Sequence, residues 1–324
     1  SEFTPRTAAL LDELMRKAFP NDEVVVVTGD AALASAFSRL PFDHLLFTGS
    51  TAVGRQVMGA AAENLTPVTL ELGGKSPAIV GRDADLAHAA ERIVIGKMLN
   101  AGQTCIAPDY ALVPEGDVDA FVAKAKAAVA RFYPNLKSTT DYSAIINTRH
   151  FTRLQSYTEE AITLGAEVIP LSNAAPDPTT RRMPPVVLLG VTDAMRVMQD
   201  ELFGPLLPIV PYRALDDAIQ YVAARPRPLA LYYFGRDSGD IERVLRETHS
   251  GGATINDVIL HIAQDALPFG GIGPSGMGHY HGYDGFLTFS KAKGVFHQAR
   301  LNGMGLFNPP YGQRFSRLVR LLLR

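Results

Sequence analysis

The distribution of apolar residues divides the first 72 residues into alternating helical and extended segments. Apolar positions recur at helical spacing at 7–19, 30–40 and 50–65. Short runs rich in aliphatic and β-branched residues follow these segments at 23–29 (EVVVVTG), 44–49 (HLLFTG) and 67–72 (PVTLEL). Helices that alternate with such runs predict βαβ units and a parallel sheet. We therefore predict a strand at each run, the first of them buried, within a doubly wound α/β unit.

The same alternation continues to about residue 256. Further helices are predicted at 85–99, 116–132, 148–163, 214–224 and 238–248. Further strands are predicted at 110–114, 167–171, 185–190, 230–235 and 252–256. A polar, proline-rich stretch at 172–185 predicts a surface loop inside this region, not a linker between domains. The pattern indicates a second α/β domain after the first.

The last part of the chain has a different composition. From Pro268 onward it is rich in glycine, aromatic residues and histidine, which predicts irregular structure. The ending RFSRLVRLLLR places four apolar side chains on one helical face, namely Phe315, Leu318, Val319 and Leu322. We expect this helix to pack on the body of the protein or on a sister subunit, with a membrane-surface helix as the alternative.

Composition and charge narrow the classes of protein. Apolar residues make up 47% and charged residues 20%, which is ordinary for a globular chain. A net charge of -2 favours no nucleic-acid partner. Apolar stretches fall short of the ~18 residues of a membrane span, and no signal peptide opens the chain. One cysteine in 324 residues allows no intrachain disulfide, so we predict a soluble, cytoplasmic protein.

That single cysteine, Cys105, lies in the polar stretch AGQTCIAPDYALV between a predicted helix and a predicted strand. A lone cysteine is most often a small, buried, inert residue. The polar, glycine-containing loop favours an accessible thiol instead. Backbone N–H dipoles near it are expected to lower the thiol pKa and favour the reactive thiolate. Cys105 is therefore a candidate nucleophile.

Glu71 ends the strand of the stretch TLELGGKSP, just before two glycines. Ligand sites of doubly wound sheets lie beyond the carboxyl ends of strands. A carboxylate in that place serves as a general base if burial raises its pKa toward neutrality. A solvated acid at a strand end is the alternative that the sequence leaves open.

The stretch LLFTGSTAVGRQV places Gly49, Ser50 and Gly54 at a strand-to-helix turn. The first N–H groups of such a helix attract an anion such as a phosphate. Arg55 follows where a P-loop needs lysine, so nucleotide hydrolysis is not indicated. An ordinary βα turn and an anion site both remain open from the spacing alone.

Two further motifs are weaker. A Gly-x-Gly-x-x-Gly pattern at 271–276 follows no strand and opens no helix, so we reject a Rossmann turn there and expect a loop that wraps a ligand or another backbone segment. His279 and His281 lack the further ligands of a zinc site, and no metal is expected. By itself, QDELFGPLLPI (199–209) is a generic turn that enters a strand.

Taken together, five of these stretches resemble the aldehyde dehydrogenase superfamily in order and spacing: FTGSTAVG, LELGGKSP, GQTC, ELFGP and PFGGIGPSGMG. GQTCIAPDY and GGATINDV resemble its class-3 branch, and the ending resembles that of bacterial coniferyl-aldehyde dehydrogenases more loosely. The resemblance implies a cofactor domain with a doubly wound parallel sheet plus an α/β catalytic domain. The implied boundaries are 1–72 for the remainder of the dinucleotide-binding domain, 73–265 for the cysteine-bearing catalytic domain, and 266–324 for a segment serving the cofactor side and oligomerisation.

The resemblance assigns chemical roles to two residues. Cys105 would add to the carbonyl of an aromatic or medium- to long-chain aldehyde, and hydride transfer to a nicotinamide would leave a thioester. Glu71 would activate the water that hydrolyses the thioester to the carboxylic acid. The alternatives are a cysteine-dependent hydrolase that pairs Cys105 with a histidine, and a non-catalytic unit that serves folding or assembly.

The resemblance also implies an NAD site, with NADP as a further cofactor, and a homodimer. Residues implied at the cofactor are Glu2, Gly49, Ser50, Thr51, Gly54, Leu72, Glu201 and Phe203. Of these, Glu201 would hold the nicotinamide ribose with Phe203 beside it. Glu2 would lie near the adenosine ribose, where a carboxylate repels a 2′-phosphate and so favours NAD over NADP.

The opening SEFTP resembles the latter half of a family stretch, Lys-Pro/Leu-Ser-Glu-x-Thr-Pro, which follows a strand of the cofactor domain. On this resemblance we expect that about the first third of a typical member precedes Ser1. That third would carry the asparagine of the oxyanion hole, whose loss typically costs about 10²–10³ in rate. The intact mass or the reading frame tests this expectation.

Overall fold

The computed structural model describes residues 1–323, and its first sheet joins segments from distant parts of the chain. β1 (Leu45–Thr48) runs parallel to β2 (Val68–Glu71), and α3 (Thr51–Ala62) connects them. β10 (Gly276–Met277) pairs antiparallel with β2, so that Gly276 lies opposite Glu71. The carboxyl ends of β1 and β2 therefore lie next to the glycine-rich loop at 271–276, where the sequence pattern excludes a Rossmann turn.

The buried strand predicted at 23–29 does not form. This run connects α1 (Pro5–Ala18) to α2 (Ala31–Phe37) without regular structure, and Val25 and Val27 are 65% and 52% exposed. A strand needs a neighbour for its N–H and C=O groups and a cover for its apolar face. Within residues 1–323 no strand pairs with this run, so its β-branched composition alone does not make it a strand.

The second sheet has seven strands in the order β5-β6-β7-β4-β3-β8-β9. The strands are β3 (Pro77–Val80), β4 (Tyr110–Pro114), β5 (Glu167–Pro170), β6 (Val186–Leu189), β7 (Leu206–Tyr212), β8 (Ala230–Phe234) and β9 (Gly252–Ile255). All neighbours are parallel except β5, which is antiparallel to β6. The central strands are buried on both faces, which explains their continuous apolar runs.

The predicted helices of this region form close to their predicted bounds. They are α4 (Leu86–Met98), α5 (Val118–Phe132), α6 (Thr148–Thr163), α8 (Leu215–Ala223) and α9 (Ser238–Glu247). The short helix α7 (Arg196–Gln199) was not predicted. Local capping explains where α4 and α6 begin. The Asp85 carboxylate accepts from the N–H groups of Ala87 and His88, and the Asn147 side chain accepts from the N–H of His150.

Residues 1–289 form one compact unit, and the residues after Phe289 form a second. The predicted boundaries at 72 and 265 stay predictions. The segment after Pro268 is more regular than expected, because it contains β10 and α10 (Gly282–Thr288). The helix predicted at the ending forms as α11 (Gln313–Leu322). Within the second unit the Phe315 ring packs on Tyr311, with ring centroids 4.7 Å apart, whereas Leu322 is 70% exposed.

No helix among residues 1–323 combines the length and the apolar character that a bilayer crossing requires.

Candidate active site

Cys105 lies in the turn between α4 and β4, where the backbone bends sharply. Asn100, Ala101 and Gly102 have positive φ values of 50°, 54° and 77°. A Cβ at Gly102 would collide with the carbonyl oxygen of Gly204, so the chain has a glycine at this close approach. The bend brings the cysteine loop against the segment 201–205 that precedes β7.

Side chains on both sides of Cys105 fix its loop. The Gln103 amide donates to the carbonyls of Ala144 and Asn100, both at 3.0 Å, and its Oε1 accepts from the N–H of Ile146 at 2.8 Å. After the cysteine, the Tyr232 hydroxyl donates to the carbonyl of Ile106. These bonds hold the nucleophile candidate on a supported turn, as a preorganised site requires.

The Cys105 thiol is half-buried and packs on the edge of the core. Burial, followed by the charges of Glu201 and Glu71, raises the pKa of Cys105 to about 11. The N–H groups of Cys105 and Ile106 lower the pKa, as predicted, but burial and the two carboxylates outweigh them. The N–H groups thus act as expected, but the net pKa of the Cys105 thiol is raised.

Glu71 is a buried acid at the end of β2, not a solvated one. The residue is 3% exposed, and neither carboxylate oxygen has a hydrogen-bond partner among residues 1–323. Burial raises the pKa of Glu71 to about 8. A carboxyl group with this pKa and two free oxygens has the properties of a general base.

Glu201 approaches the turn after β2 very closely. A Cβ at Gly73 would overlap both carboxylate oxygens of Glu201, so the missing side chain makes room for the acid. Burial, followed by the charge of Asp109, raises the pKa of Glu201 to about 7, whereas the Gly74 N–H and nearby cations act in the opposite direction. Glu201 and Glu71 thus lie on either side of one short turn, both within electrostatic reach of the Cys105 thiol.

The topology explains this convergence. The segments that carry Lys75, Cys105 and Glu201 precede β3, β4 and β7, which are adjacent and parallel, so all three lie at the amino edge of the seven-stranded sheet. Glu71 lies at the carboxyl edge of the three-stranded sheet. The site is therefore shared by opposite edges of two sheets. The carboxyl-end rule holds for Glu71 and for the turn after β1, but not for Cys105 or Glu201.

The predicted phosphate turn and the glycine-rich loop lie together. Ser50 caps α3, its Oγ accepting from the Val53 N–H at 3.4 Å, and the Thr51 hydroxyl donates to the carbonyl of Pro274 at 2.9 Å. A Cβ at Gly54 would be 2.6 Å from Leu72 Cδ2. Gly49, at the tip of the turn, is exposed and leaves the helix N-terminus open.

Two of the predicted residues differ in position from this group. Phe203 has a left-handed φ of 48° and is 38% exposed, beside Glu201 in the chain. Glu2 is exposed in the turn before α1, and no hydrogen bond or ion pair within residues 1–323 joins it to the other predicted site residues. The structure therefore brings together Cys105, Glu71 and Glu201, and it packs Gly54 on Leu72 next to Glu71.

Several residues around the site belong to none of the motifs that predicted a role. Asp109 is 3% exposed, and its carboxylate accepts from Lys75 Nζ and from the Leu202 N–H, the latter at 2.8 Å. Lys97 is 3% exposed, and burial lowers its pKa to about 8. A lysine within the apolar run RIVIGKML was the one available signal. Tyr280 also lies within electrostatic reach of Glu71 and Cys105.

The histidines near the loop make other contacts. His279 Nε2 lies 3.2 Å from the Asp284 carboxylate, and the search of the described residues found no group of three metal-ligating side chains. No hydrogen bond within the described chain joins an imidazole to the Cys105 thiol, whose charged neighbours are two carboxylates.

With this geometry in place, comparison with known proteins identifies the class. A model of the aldehyde dehydrogenase family matches residues 1–295. The chain belongs to the aldehyde dehydrogenase family, and its α/β fold is that of this family. The resemblance drawn from the five motifs is confirmed.

Particular relatives show how much of such a protein the chain covers. It is 58% identical over 319 residues to the probable coniferyl aldehyde dehydrogenase of Pseudomonas aeruginosa, matching 98% of this chain and 66% of that protein. The substrate-bound state of Staphylococcus aureus AldH gives a TM-score of 0.91 at 41% identity, over 99% of this chain and 69% of that chain. A Mycobacterium tuberculosis aldehyde dehydrogenase complexed with NAD+ gives a TM-score of 0.83 at 31% identity, over 93% of this chain and 62% of that chain. The chain thus spans about two thirds of the length of these proteins.

Proposed function

We propose that the protein is an NAD-dependent aldehyde dehydrogenase, with NADP as a further cofactor, that oxidises an aromatic or medium- to long-chain aldehyde to the carboxylic acid. The observation that carries this proposal is the buried, unpartnered Glu71 carboxyl within electrostatic reach of the Cys105 thiol. Covalent catalysis followed by base-assisted hydrolysis needs a nucleophile and a base in this relation.

The residues of the chain account for the steps on either side of hydride transfer. Cys105 first releases its proton to water, which leaves the unpartnered Glu71 carboxylate available for the later hydrolysis. The sulfur then forms a bond to the aldehyde carbon and gives a thiohemiacetal. A nicotinamide held by Glu201 and Phe203 would supply the hydride acceptor, and loss of the hydride from that carbon would leave a thioester on Cys105. Glu71 takes a proton from a water molecule that attacks the thioester, the carbon–sulfur bond breaks, and the acid leaves.

The turn after β1 and the segment around Glu201 have polar groups suited to a dinucleotide. The open N-terminus of α3, with Gly49, Ser50 and Thr51, would hold the pyrophosphate. Gly54 and Leu72 would line the same turn, and Glu201 with Phe203 would hold the nicotinamide ribose. Glu2 would lie near the adenosine ribose and favour NAD. The NAD+ complex of the Mycobacterium tuberculosis protein supports the proposal for this chain.

For the substrate, we propose coniferyl aldehyde or a similar aromatic aldehyde. The support is the name of the Pseudomonas aeruginosa relative and the 58% identity to it. For the compartment, we propose the cytoplasm, since a reducing environment keeps the single catalytic thiol reduced.

We further propose that the protein is a homodimer. Residues 290–324 contain seven lysines and arginines and no acidic residue, although the whole chain has a net charge of -2. Several large apolar side chains there are exposed, among them Phe296 at 86% and Leu301 at 94%. A second copy, net acidic outside this segment, is the partner that charge and apolar area favour. Sedimentation of the protein and of a Phe296→Ser/Leu301→Ser variant tests this.

The function is tested by NADH formation, followed at 340 nm, with a panel of aromatic and aliphatic aldehydes. The protein is produced from its natural reading frame. Turnover that Cys105→Ala retains in full would contradict the mechanism. A rate of ester hydrolysis that does not depend on NAD, with no NADH formed, would favour a cysteine hydrolase. Absence of NAD binding in calorimetry would favour the folding or assembly unit.

A further inference from the structure

The segment 200–204 presents Glu201 to the proposed cofactor, yet it belongs to no helix or strand. Its backbone is unusual, because Phe203 has a φ of 48°. A non-glycine residue in this region is strained and persists only where the surrounding contacts determine its conformation. The contacts that hold this segment therefore decide where the Glu201 carboxylate lies.

Arg153 on α6 holds one side of the segment. Its Nη1 donates to the Glu201 carbonyl at 3.2 Å, and its Nη2 donates to the Leu202 carbonyl at 2.5 Å. The guanidinium carbon lies 5.1 Å from the centroid of the Tyr157 ring, on the same helix. A planar guanidinium supplies two donors in a fixed fork, so it sets the direction of two successive carbonyls at once.

Asp109 and Lys75 hold the other side. The Asp109 carboxylate accepts from the Leu202 N–H at 2.8 Å, and the Asp109 N–H donates to the Ser76 carbonyl at 2.8 Å. Lys75 Nζ donates to Asp109 and, at 3.0 Å, to the Asp200 carbonyl. These bonds join the segments before β3, β4 and β7. From α6, Arg153 holds the Glu201 and Leu202 carbonyls, and the Tyr157 hydroxyl donates to the Asp200 carboxylate at 2.5 Å.

We propose that Arg153 is a positioning residue that holds the Glu201–Leu202 backbone so that the Glu201 carboxylate stays over Gly73, ready for the nicotinamide ribose. The inference rests on the proposed function and adds a residue to it. Without the fork, two carbonyls lose their charged donor, and the segment has other conformations open to it. The competent conformation is then populated only in part, and the apparent affinity for NAD falls by that fraction.

The test compares Arg153→Met, Arg153→Lys and the control Arg149→Met in the protein from its natural reading frame. Arg149 is exposed one turn earlier on α6 and contacts His150, not the segment. We expect Arg153→Met to raise KM for NAD about 10-fold, as for the loss of charged hydrogen bonds. Its kcat, and the rate at which iodoacetamide alkylates Cys105, should stay within about threefold of those of the unmodified protein. The KM of Arg153→Lys for NAD should lie between those of Arg153→Met and the unmodified protein, because an ammonium cannot reproduce the two donors of the guanidinium. Arg149→Met should match the unmodified protein.

Hydrogen exchange of peptides that cover 200–204 separates this inference from the proposed function. Faster exchange there in Arg153→Met, with exchange in α4 and β3 unchanged, supports the positioning role. An unchanged exchange rate, or an unchanged KM for NAD, overturns it. Equal losses in kcat, Cys105 alkylation and melting temperature would show a general structural role and would also overturn it. If the unmodified protein forms no NADH, the proposed function fails, and the exchange result still decides the role of Arg153.

Discussion

Gly73 and Glu201 are in direct van der Waals contact, and the contact requires that residue 73 has no side chain. A Cβ on residue 73 would overlap both carboxylate oxygens of Glu201. Of the two carboxylates, Glu201 raises the pKa of the Cys105 thiol more than Glu71 does. The contact therefore links the proposed cofactor site to the proposed nucleophile.

Gly73→Ala should therefore displace the Glu201 carboxylate. We expect kcat/KM for NAD to fall about 10-fold or more, while the thiol remains available to alkylating reagents. Gly59→Ala is a matched control, because no atom lies within 4 Å of a Cβ at that position on α3. Steady-state kinetics with NAD varied at saturating aldehyde measure the effect. If Gly73→Ala and Gly59→Ala have the same kcat/KM for NAD, the contact between Gly73 and Glu201 does not position the carboxylate for the cofactor.

The Cys105 thiol should react slowly in the protein without cofactor. Its pKa of about 11 leaves little thiolate at pH 8, so iodoacetamide should alkylate it more than 10-fold more slowly than an unstructured cysteine. The rate should rise about 10-fold per pH unit up to the limit of stability. Stopped alkylation reactions analysed by intact mass measure this.

Glu201→Gln should raise that alkylation rate at pH 8.5. Removing a negative charge near the sulfur stabilises the thiolate and lowers the pKa of Cys105. The same variant should bind NAD more weakly in calorimetry, so the two effects have opposite signs. Glu115→Gln serves as the control, because Glu115 pairs with Arg213 on the surface. Slower alkylation in Glu201→Gln than in the control would be inconsistent with the electrostatic account.

Glu71→Gln should separate acylation from hydrolysis. We expect one equivalent of NADH in a burst and a Cys105 acyl adduct in the intact mass, since the amide cannot take a proton from water. In the unmodified protein, hydrolysis should increase as pH rises through about 8, where the Glu71 carboxyl ionises. Rapid steady turnover by Glu71→Gln would remove Glu71 as the base.

The same carboxyl links folding stability to pH. Its pKa of about 8 lies above the 4.5 of an unperturbed glutamate, so its contribution is fully present below pH ~4.5 and is lost as pH rises through about 8. The loss is at most about 5 kcal/mol, from 1.36 kcal/mol per pKa unit. Glu71→Gln should therefore gain melting temperature relative to the unmodified protein between pH 5 and pH 9. If the difference in melting temperature between Glu71→Gln and the unmodified protein does not change with pH, Glu71 does not have a raised pKa.

Local patterns along the chain were sufficient for most elements. Residues 148–163 are helical because Asn147 supplies the cap and apolar positions repeat on one face, both of which the sequence displays. The run 23–29 has the composition of a strand and does not form one, because a strand also needs a paired neighbour, which composition does not supply. Sequence motifs in order were likewise enough to nominate Cys105, Glu71 and Glu201, since the residue types and their company in the chain carry that signal.

The tertiary structure decided the properties of those residues. Asp109 bonds to Leu202 across 93 positions and Arg153 bonds to it across 49, so no local pattern indicates either contact. Burial and neighbouring charges set the pKa of Cys105 and of Glu71, and both depend on how two sheet edges meet. The sequence by itself determined which side chains are present and which elements carry them. Only the fold decided their distances, their exposure to water and therefore their protonation, because these depend on packing between segments far apart in the chain.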